Sequence, residues 1–179
     1  MSVITKQEAR DLARILKKIP RQGFWIPQES FRALHGAVSM WAPELVITRR
    51  EHREILLTIY RGPYFNNVWH IPGGYNVWNE SFRQTCDRLA KLELGVRITP
   101  RFIIEAYKWR RGEHPYGRPL SLFTLCVPRG KITETNEAKF FPVNRLPSRI
   151  VPCQRRFIQR HFKTSQMRMH LRSRAGLLA

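Results

Sequence analysis

The segment spanning residues 68–95 constrains the fold more than any other part of this 179-residue chain. A short β-prone run at residues 68–71 leads directly into Pro72-Gly73-Gly74, and residues 79–94 then have helical spacing that ends at Gly95. Glycine tolerates backbone conformations and close approaches that other residues do not. The segment therefore predicts a strand, a glycine turn and a helix.

The patterns on either side place this unit inside one α/β domain. Strands are predicted at residues 44–49, 54–61, 101–110, 119–127 and 138–141, and helices at residues 5–19, 28–34 and 152–163. Strands that enclose a turn and helix, with further helices at both ends, predict an α/β sandwich over a mixed sheet. We assign residues 1–41 to an N-terminal helical extension, 42–163 to the domain and 164–179 to a basic tail.

The chain is strongly basic, with 32 Lys and Arg against 13 Asp and Glu and a formal charge of +19. No acidic residue follows Glu137, whereas arginines continue into the C-terminal segment. This distribution indicates contact with phosphates, either in nucleic acid or in a nucleotide, and is equally typical of a solvated basic surface. Charge alone does not choose between these interpretations.

Other features bound the class of protein. No run approaches the roughly 20 apolar residues of a membrane-spanning helix, so we expect no membrane partner. The first residues have no central apolar block, which predicts a cytoplasmic protein. The three cysteines, Cys86, Cys126 and Cys153, lack metal-ligand spacing and predict neither a disulfide framework nor a zinc site.

From the last glycine of the turn onwards, five residues have a specific spacing. They are Gly74, Glu80, Arg88, Glu93 and Gly95, which follow G-x5-E-x7-R-x4-E-x-G. This resembles the Nudix box, G-x5-E-x7-R-E-U-x-E-E-x-G-U, in which U is a bulky aliphatic residue. The preceding Trp-His-Ile-Pro-Gly-Gly is similar to the strand that leads into the box. Later, residues 137–142 resemble the family's E-A-R-W-F-P strand and residues 146–147 the Leu-Pro before its last helix. The resemblance covers roughly residues 45–162.

The resemblance implies a Nudix-type α/β/α sandwich that hydrolyses a nucleoside diphosphate linked to another group. The cofactor it implies is a divalent cation, Mg²⁺ or Mn²⁺. Such cations prefer carboxylate, carbonyl and water oxygens, which a glycine turn and a following acidic helix can supply. A cation of this kind neutralises phosphates and positions water.

The box departs from the family pattern at two acidic positions, which here are Leu89 and Leu92. With Phe82 and Cys86 they extend an apolar stripe along the helix, and Glu93 is expected at the edge of that stripe. One interpretation is that the catalytic face has become a packing face, so that the domain binds or scaffolds. We expect Glu80 and Arg88 to fix the geometry of the turn and helix.

A second interpretation comes from one branch of the family. Residues 88–95 resemble the R-L-x-x-x-E-L-G box of GDP-mannose mannosyl hydrolases, which cleave at the sugar carbon and use a single cation. This resemblance implies that the Gly74 carbonyl, Glu93 and Glu134 hold the cation. In that branch a histidine base directly follows the loop ligand, whereas here Thr135 follows Glu134.

Several further side chains are candidates for the site. His114 is a candidate substitute base if its loop folds over the turn, and histidine has a suitable pKa. Arg61 and Arg118 are candidates for phosphate contacts. Aromatic side chains that could stack on a base or sugar are Tyr64, Tyr75, Trp78, Trp109 and Tyr116. For each of these histidine, arginine and aromatic side chains, a structural or surface role is the simpler interpretation.

Two functions are therefore predicted. The first is a cation-dependent Nudix hydrolase of a nucleotide-sugar, similar to GDP-mannose, with Glu93, Glu134 and His114 as catalytic residues and Arg61, Arg118 and Tyr75 as substrate-binding residues. The alternative is a catalytically weakened Nudix-fold protein that binds nucleotide or nucleic acid through its basic surface. The N-terminal extension leaves a homodimer open.

Overall fold

The structure is a computed structural model that describes residues 4–18, 26–61, 65–77, 79–114 and 117–164, with residues 169, 171 and 173. Its helices are α1 (Lys6–Leu16), α2 (Gln28–Ala37), α3 (Phe82–Leu94) and α4 (Pro152–Phe162). Its strands are β1 (Trp41–Val46), β2 (Thr48–Arg49), β3 (Glu54–Arg61), β4 (Asn66–His70), β5 (Arg97–Lys108), β6 (Leu120–Arg129) and β7 (Ala138–Pro142).

The strands form two sheets. In the first, β1 pairs parallel with β6 and β5 pairs antiparallel with β6, so this sheet is mixed as predicted. In the second, β3 pairs antiparallel with β2, β4 and β7. A bridge between Glu44 of β1 and Gly73 joins the glycine turn to the first sheet. This bridge fixes the turn against β1.

Alternating side chains of β1 and β3 divide the core into two layers. Leu45 of β1 and Leu56 of β3 pack with α3, whereas Val46, Ile55 and Leu57 pack with α4. Period-two alternation sends neighbouring side chains to opposite faces of a sheet, and here both faces are covered by helices. The predicted α/β/α sandwich is confirmed.

The helix after the glycine turn begins later than its spacing suggests. It starts at Phe82 and not at residue 79, because Ser81 forms a capping box with Gln84. The Ser81 hydroxyl accepts the Gln84 N–H and the Gln84 side chain accepts the Ser81 N–H, which satisfies two donors at the helix end. At the other end Gly95 is left-handed, with φ of 68°.

One predicted feature of α3 is wrong. Leu92 does not extend the apolar stripe, because 77% of it is exposed, whereas Cys86 and Leu89 are buried. At about 100° per residue, positions 86, 89 and 93 fall on one line and position 92 turns away from it. Glu93 therefore lies in the same row of α3 as the buried Cys86 and Leu89. The sequence had predicted it at the edge of the apolar stripe.

The basic C-terminal helix uses several of its charges within the domain. Arg156 pairs with Glu113, Arg160 Nη1 lies 2.7 Å from Glu105 Oε1, and Arg155 donates to the Ser148 carbonyl at 3.0 Å. These arginines tie α4 to neighbouring loops and strands. Part of the charge that suggested nucleic acid thus has an internal role.

The remaining sequence-based expectations are mixed in outcome. The N-terminal helix is present as α1, and its predicted end at residues 19–20 lies outside the described residues. The three cysteines are free and buried. Among the described residues, no helix is long and apolar enough to cross a bilayer.

Candidate functional site

The site is built around the contact between Glu93 and the glycine turn. Glu93 Oε1 accepts the Gly73 N–H at 2.8 Å, and Oε2 accepts the Thr58 hydroxyl at 2.9 Å. His70 Nε2 lies 3.5 Å from the same Oε2 and 3.0 Å from the Thr58 hydroxyl. The end of α3, the centre of β3 and the end of β4 therefore meet at one carboxylate.

Burial changes the ionisation of this cluster. It raises the pKa of Glu93 to about 7, although the bonds from Gly73 and Thr58 act in the opposite direction. It lowers the pKa of His70 to about 4, so His70 is neutral at pH 7. A carboxylic acid with a pKa near the working pH is suited to proton transfer or to holding a cation that displaces its proton.

Leu89 closes the side of the turn where the family places another carboxylate. A Cβ placed on Gly74 would lie 2.9 Å from Leu89 Cδ2, so the leucine methyl packs directly against this glycine. Leu89 belongs to a buried cluster with Cys86, Ala90 and Ile98. Here the sequence-based interpretation of a packing face holds for position 89.

Glu80 and Arg88 hold the outer part of the turn. Arg88 Nε donates to the two Glu80 oxygens at 2.8 and 3.0 Å, and Arg88 Nη2 donates to the Tyr75 carbonyl at 2.9 Å. The predicted structural pair is confirmed. Because the pair engages the Tyr75 carbonyl, it helps to set the path of the chain just after Gly74.

A cavity of about 100 Å³ lies beside the glycine turn. Its walls come from β1, β3, β4, the turn, the loop after β5 and the start of α4, and they include Glu44, Tyr60, Phe65, His70, Gly73, Gly74, Tyr75, Trp109, His114, Ser121 and Gln154. Aromatic walls with a few polar groups are typical of sites that hold a flat ring. The volume suits part of one ring, so a whole nucleotide would extend outside it.

Glu44 is the buried acid of this cavity. Its Oε1 accepts the Ser121 hydroxyl at 2.7 Å and its Oε2 accepts the Gln154 amide at 3.0 Å. Trp109 donates to the same Ser121 hydroxyl at 2.9 Å. Burial raises the pKa of Glu44 to about 8, and the neighbouring Glu93 carboxylate adds to the rise against the two hydrogen bonds. Glu44 is therefore largely protonated at pH 7.

His114 lines the cavity, so its loop does fold next to the glycine turn, which was the condition for its role as a candidate base. Its ring stacks on His35 with centroids 4.7 Å apart, and its Nε2 lies 3.3 Å from the Tyr75 hydroxyl. Burial, with a contribution from His35, lowers the pKa of His114 to about 4. The structure thus brings His114, Tyr75 and Gly74 to one cavity, and His114 is neutral there at pH 7.

Glu134 is held apart by other partners. Arg49 Nη1 lies 2.6 Å from Glu134 Oε1, and Oε2 accepts the Phe140 N–H at 3.0 Å. These bonds lower the pKa of Glu134, the Phe140 N–H more than the Arg49 pair. Glu134 does not line the cavity that contains Gly74. Its role as a ligand stays a prediction that requires release from Arg49.

Neither of the two arginines predicted to contact phosphates lines the cavity, but each is next in sequence to a residue that does. Arg61 follows Tyr60 of the cavity wall and pairs with Glu137. Arg118 is exposed and precedes Pro119, which also lines the cavity. Of the aromatic candidates, Tyr75 and Trp109 line the cavity, whereas Tyr64, Trp78 and Tyr116 lie outside the described residues.

Near the glycine turn, the Glu93 carboxylate is the candidate ligand for a single cation. Within the described ranges, no group of three or more His, Cys, Asp or Glu side chains is arranged to hold a metal ion. A Mg²⁺ ion needs one or two carboxylates when water and substrate phosphates complete its shell. The Glu93 carboxylate would supply one such ligand, and the Gly74 carbonyl stays a predicted second ligand.

Sequence reasoning missed the network of Glu44, Ser121 and Gln154. One signal for it was present: Glu44 is an acid inside the apolar run of β1, at residues 41–47. An acid in a buried strand requires hydrogen-bond partners or a functional reason. Its partners come from β6 and α4, which are far away in sequence, so no local pattern could identify them.

Comparison with known proteins gives a consistent picture. The NUDIX domain family matches residues 42–161. Comparison with curated proteins gives no match. Similar solved structures include a MutT NUDIX hydrolase from Burkholderia pseudomallei, with a TM-score of 0.58, 17% identity and coverage of 68% of this chain and 97% of that one.

Two other solved structures share the fold. A NUDIX hydrolase from Nitrosomonas europaea has a TM-score of 0.59 and 15% identity, with 72% of each chain covered. An ADP-ribose pyrophosphatase from Streptococcus suis has a TM-score of 0.52 and 16% identity, with 72% of this chain and 95% of that chain covered. At these identities the likeness concerns the fold.

Proposed function

Because the chain belongs to the NUDIX family, we propose that it hydrolyses a nucleoside-diphosphate-linked compound of the nucleotide-sugar class, with GDP-mannose as the reference substrate. The observation that carries this proposal is the Glu93 carboxylate bound to the Gly73 N–H at 2.8 Å, beside an aromatic cavity. This geometry sets an acid with a perturbed pKa at the turn where phosphates would approach.

Retention of only Glu93 among the three acidic box positions after Arg88 favours a substrate that needs one cation. Mg²⁺ or Mn²⁺ would be held by the Gly74 carbonyl and Glu93, and when bound it supplies charge neutralisation to the diphosphate. Leu89 packs against Gly74 where a second carboxylate would lie. This agrees with the resemblance of residues 88–95 to the single-cation branch of the family.

The chain's own groups then have distinct roles in the proposal. The cavity walls, with Tyr75 and Trp109, bind a ring of the substrate and exclude water from it. Arg61 and Arg118, each next in sequence to a cavity residue, are assigned to phosphates, and Arg61 would exchange Glu137 for the substrate. Glu134 would have to exchange Arg49 before it could act as a ligand.

Without a cation, Glu93 is better matched to proton transfer than His114; once the Glu93 carboxylate holds a cation, Glu93 is a ligand and His114 is the candidate base. The pKa of Glu93 lies at about 7, whereas the pKa of His114 lies at about 4. A base whose pKa is close to the working pH is more effective than one several units below it. We assign His114 mainly to binding, through its contacts with Tyr75 and the cavity, and keep it as the second candidate base.

The test is a hydrolysis assay in H₂¹⁸O with Mg²⁺ or Mn²⁺ and a panel of GDP-sugars, ADP-sugars, dinucleoside polyphosphates and nucleoside triphosphates. Attack of water at the sugar carbon breaks the C–O bond and gives GDP and ¹⁸O-labelled sugar. Attack at phosphorus gives GMP and a sugar phosphate, with the label on one phosphate. We expect the first pair. Hydrolysis of other substrates alone would refute the nucleotide-sugar assignment, and inactivity across the panel would refute the hydrolase.

A further inference from the structure

The first described helix, α1, lies outside the domain core. None of its residues is buried within the part of the chain that the structure describes. Every side chain from residue 4 to residue 18 is exposed except that of Asp11. The apolar side chains are among these: Leu12 is 48% exposed, Ile15 49% and Leu16 40%. Three large aliphatic side chains on one short helix are therefore left in water.

From Leu12 to Lys17 the helix is two-sided, whereas Glu8, one turn before Leu12, lies on the same side as the apolar residues. At about 100° per residue, Leu12, Ile15 and Leu16 lie on one side, while Lys6, Arg10, Arg14 and Lys17 lie on the other. Residues 4–18 contain five cations and two acids, and both acids have partners inside the helix. Glu8 belongs to the capping box with Thr5, and Asp11 Oδ1 lies 3.2 Å from Arg14.

Contrary to the expectation from the sequence that the chain has no membrane partner, we propose that α1 lies flat on an anionic phospholipid bilayer and attaches the domain to its surface. A helix with an apolar side, a cationic side and low overall hydrophobicity has the properties of an interfacial helix. Its 11 residues span only about 16 Å, which is too short to cross a bilayer. The helix thus lies on the membrane and does not traverse it.

The bilayer surface is favoured because it satisfies both sides of α1. Nucleic acid would bind the cations and leave Leu12, Ile15 and Leu16 in water. A second copy of the chain could cover Leu12, Ile15 and Leu16, but the cations on the opposite side of each copy would then have no anionic partner. The boundary of an anionic bilayer accepts the apolar side between the lipid chains, and the headgroups attract the lysines and arginines.

The test is co-sedimentation of the full chain with phosphatidylcholine vesicles, with and without about one third phosphatidylserine. We expect binding to the anionic vesicles and little to the neutral ones. Leu12→Asp with Leu16→Asp should weaken binding by about tenfold or more, because the aspartates cannot enter the apolar layer. Leu92→Asp is the matched control, since Leu92 is another exposed helical leucine and its change should have no effect.

The charged side needs its own pair of variants. Arg10→Gln with Arg14→Gln should lower binding by about tenfold. Arg83→Gln with Arg145→Gln removes the same charge elsewhere on the surface and should leave binding nearly unchanged. Equal loss in both pairs would show non-specific attraction and overturn the proposal.

Two further results would overturn it: absence of binding at low salt, or binding that the aspartates in α1 do not alter. Light scattering gives the remaining outcome, since a dimer that Leu12→Asp with Leu16→Asp dissociates would assign the apolar side to a second copy. Thermal unfolding of each variant verifies that the domain stays folded. The vesicle assay does not depend on hydrolysis, so its failure would leave the proposed enzyme untouched.

Discussion

Glu93 Oε1 accepts the Gly73 N–H at 2.8 Å, which joins the last turn of α3 to the glycine turn that precedes the helix. Twenty residues separate the two groups in sequence. The contact holds a carboxyl group whose pKa is about 7 against Gly73. Gly73 lines the aromatic cavity, whereas Glu93 itself lines a second cavity with Thr58 and Glu137. Four predictions test what this arrangement does.

Glu93→Gln should lower kcat/KM by about a hundredfold or more, because loss of a proton-transfer group or cation ligand typically has that effect. The amide oxygen can still accept the Gly73 N–H, so the melting temperature should change little. Steady-state kinetics and thermal unfolding measure the two effects. Glu29→Gln, an exposed acid of α2, is the control and should retain full activity. Normal turnover by Glu93→Gln would remove Glu93 from the chemistry.

Leu89→Ala and Leu92→Ala separate the two leucines of the box. Leu89 is 4% exposed and packs against Gly74, so its truncation should lower the free energy of unfolding by about 2–4 kcal/mol. Leu92 is 77% exposed, and its truncation should change the free energy of unfolding by less than about 0.5 kcal/mol. Urea unfolding measures both. Equal effects would contradict the packing of α3.

Glu44 should make stability fall between pH 7 and pH 8. The pKa of Glu44 is about 8 in the folded chain and 4.5 for the ordinary group, so in this range the folded state holds a proton that the unfolded state has lost. The contribution of such a group to the free energy of unfolding is fully present below pH 4.5. It is lost as the pH rises towards 8, by an amount on the order of a few kcal/mol.

The window above pH 7 isolates Glu44 from its neighbours. His70 and His114 have pKa values of about 4, below the ordinary value of 6.5, so they make stability rise with pH. That rise ends at about pH 6.5 and does not overlap the window above pH 7. Glu93 titrates at about pH 7. Glu44→Gln should therefore flatten the decline between pH 7 and pH 8 in urea unfolding. An unchanged slope in that variant would show that Glu44 is ionised when folded.

His114→Ala should raise KM for the nucleotide substrate by about threefold to tenfold, because one ring contact contributes roughly 1 kcal/mol. Since His114 is assigned mainly to binding, kcat should fall much less. Kinetics at saturating and limiting substrate distinguish the two parameters. His52→Ala changes a histidine that does not line the cavity and is the comparison. A large fall in kcat with unchanged KM would restore His114 as the base.

The glycine turn and its helix show what local sequence can predict. Pro72-Gly73-Gly74 and Gly95 bound a helix whose existence followed from spacing, and its start was displaced by the Ser81 cap. Glu80 and Arg88 also followed from the spacing. Leu92 did not, because whether a side chain at the end of a helix is covered depends on distant elements. No residue close to Leu92 in sequence indicates that its side chain is exposed.

The sequence by itself determined the α/β class, the mixed sheet, the family and the one acid, Glu93, left among the three acidic box positions after Arg88, because periodicity, turn residues and motif spacing are local properties. Only the tertiary structure decided that Glu93 meets Gly73 and Thr58, that Arg49 holds Glu134, and that Glu44 lies buried among β6 and α4. These contacts join residues 20 to 110 positions apart. The burial that shifts the pKa of both acids arises when strands and helices close around them, and no stretch of sequence contains it.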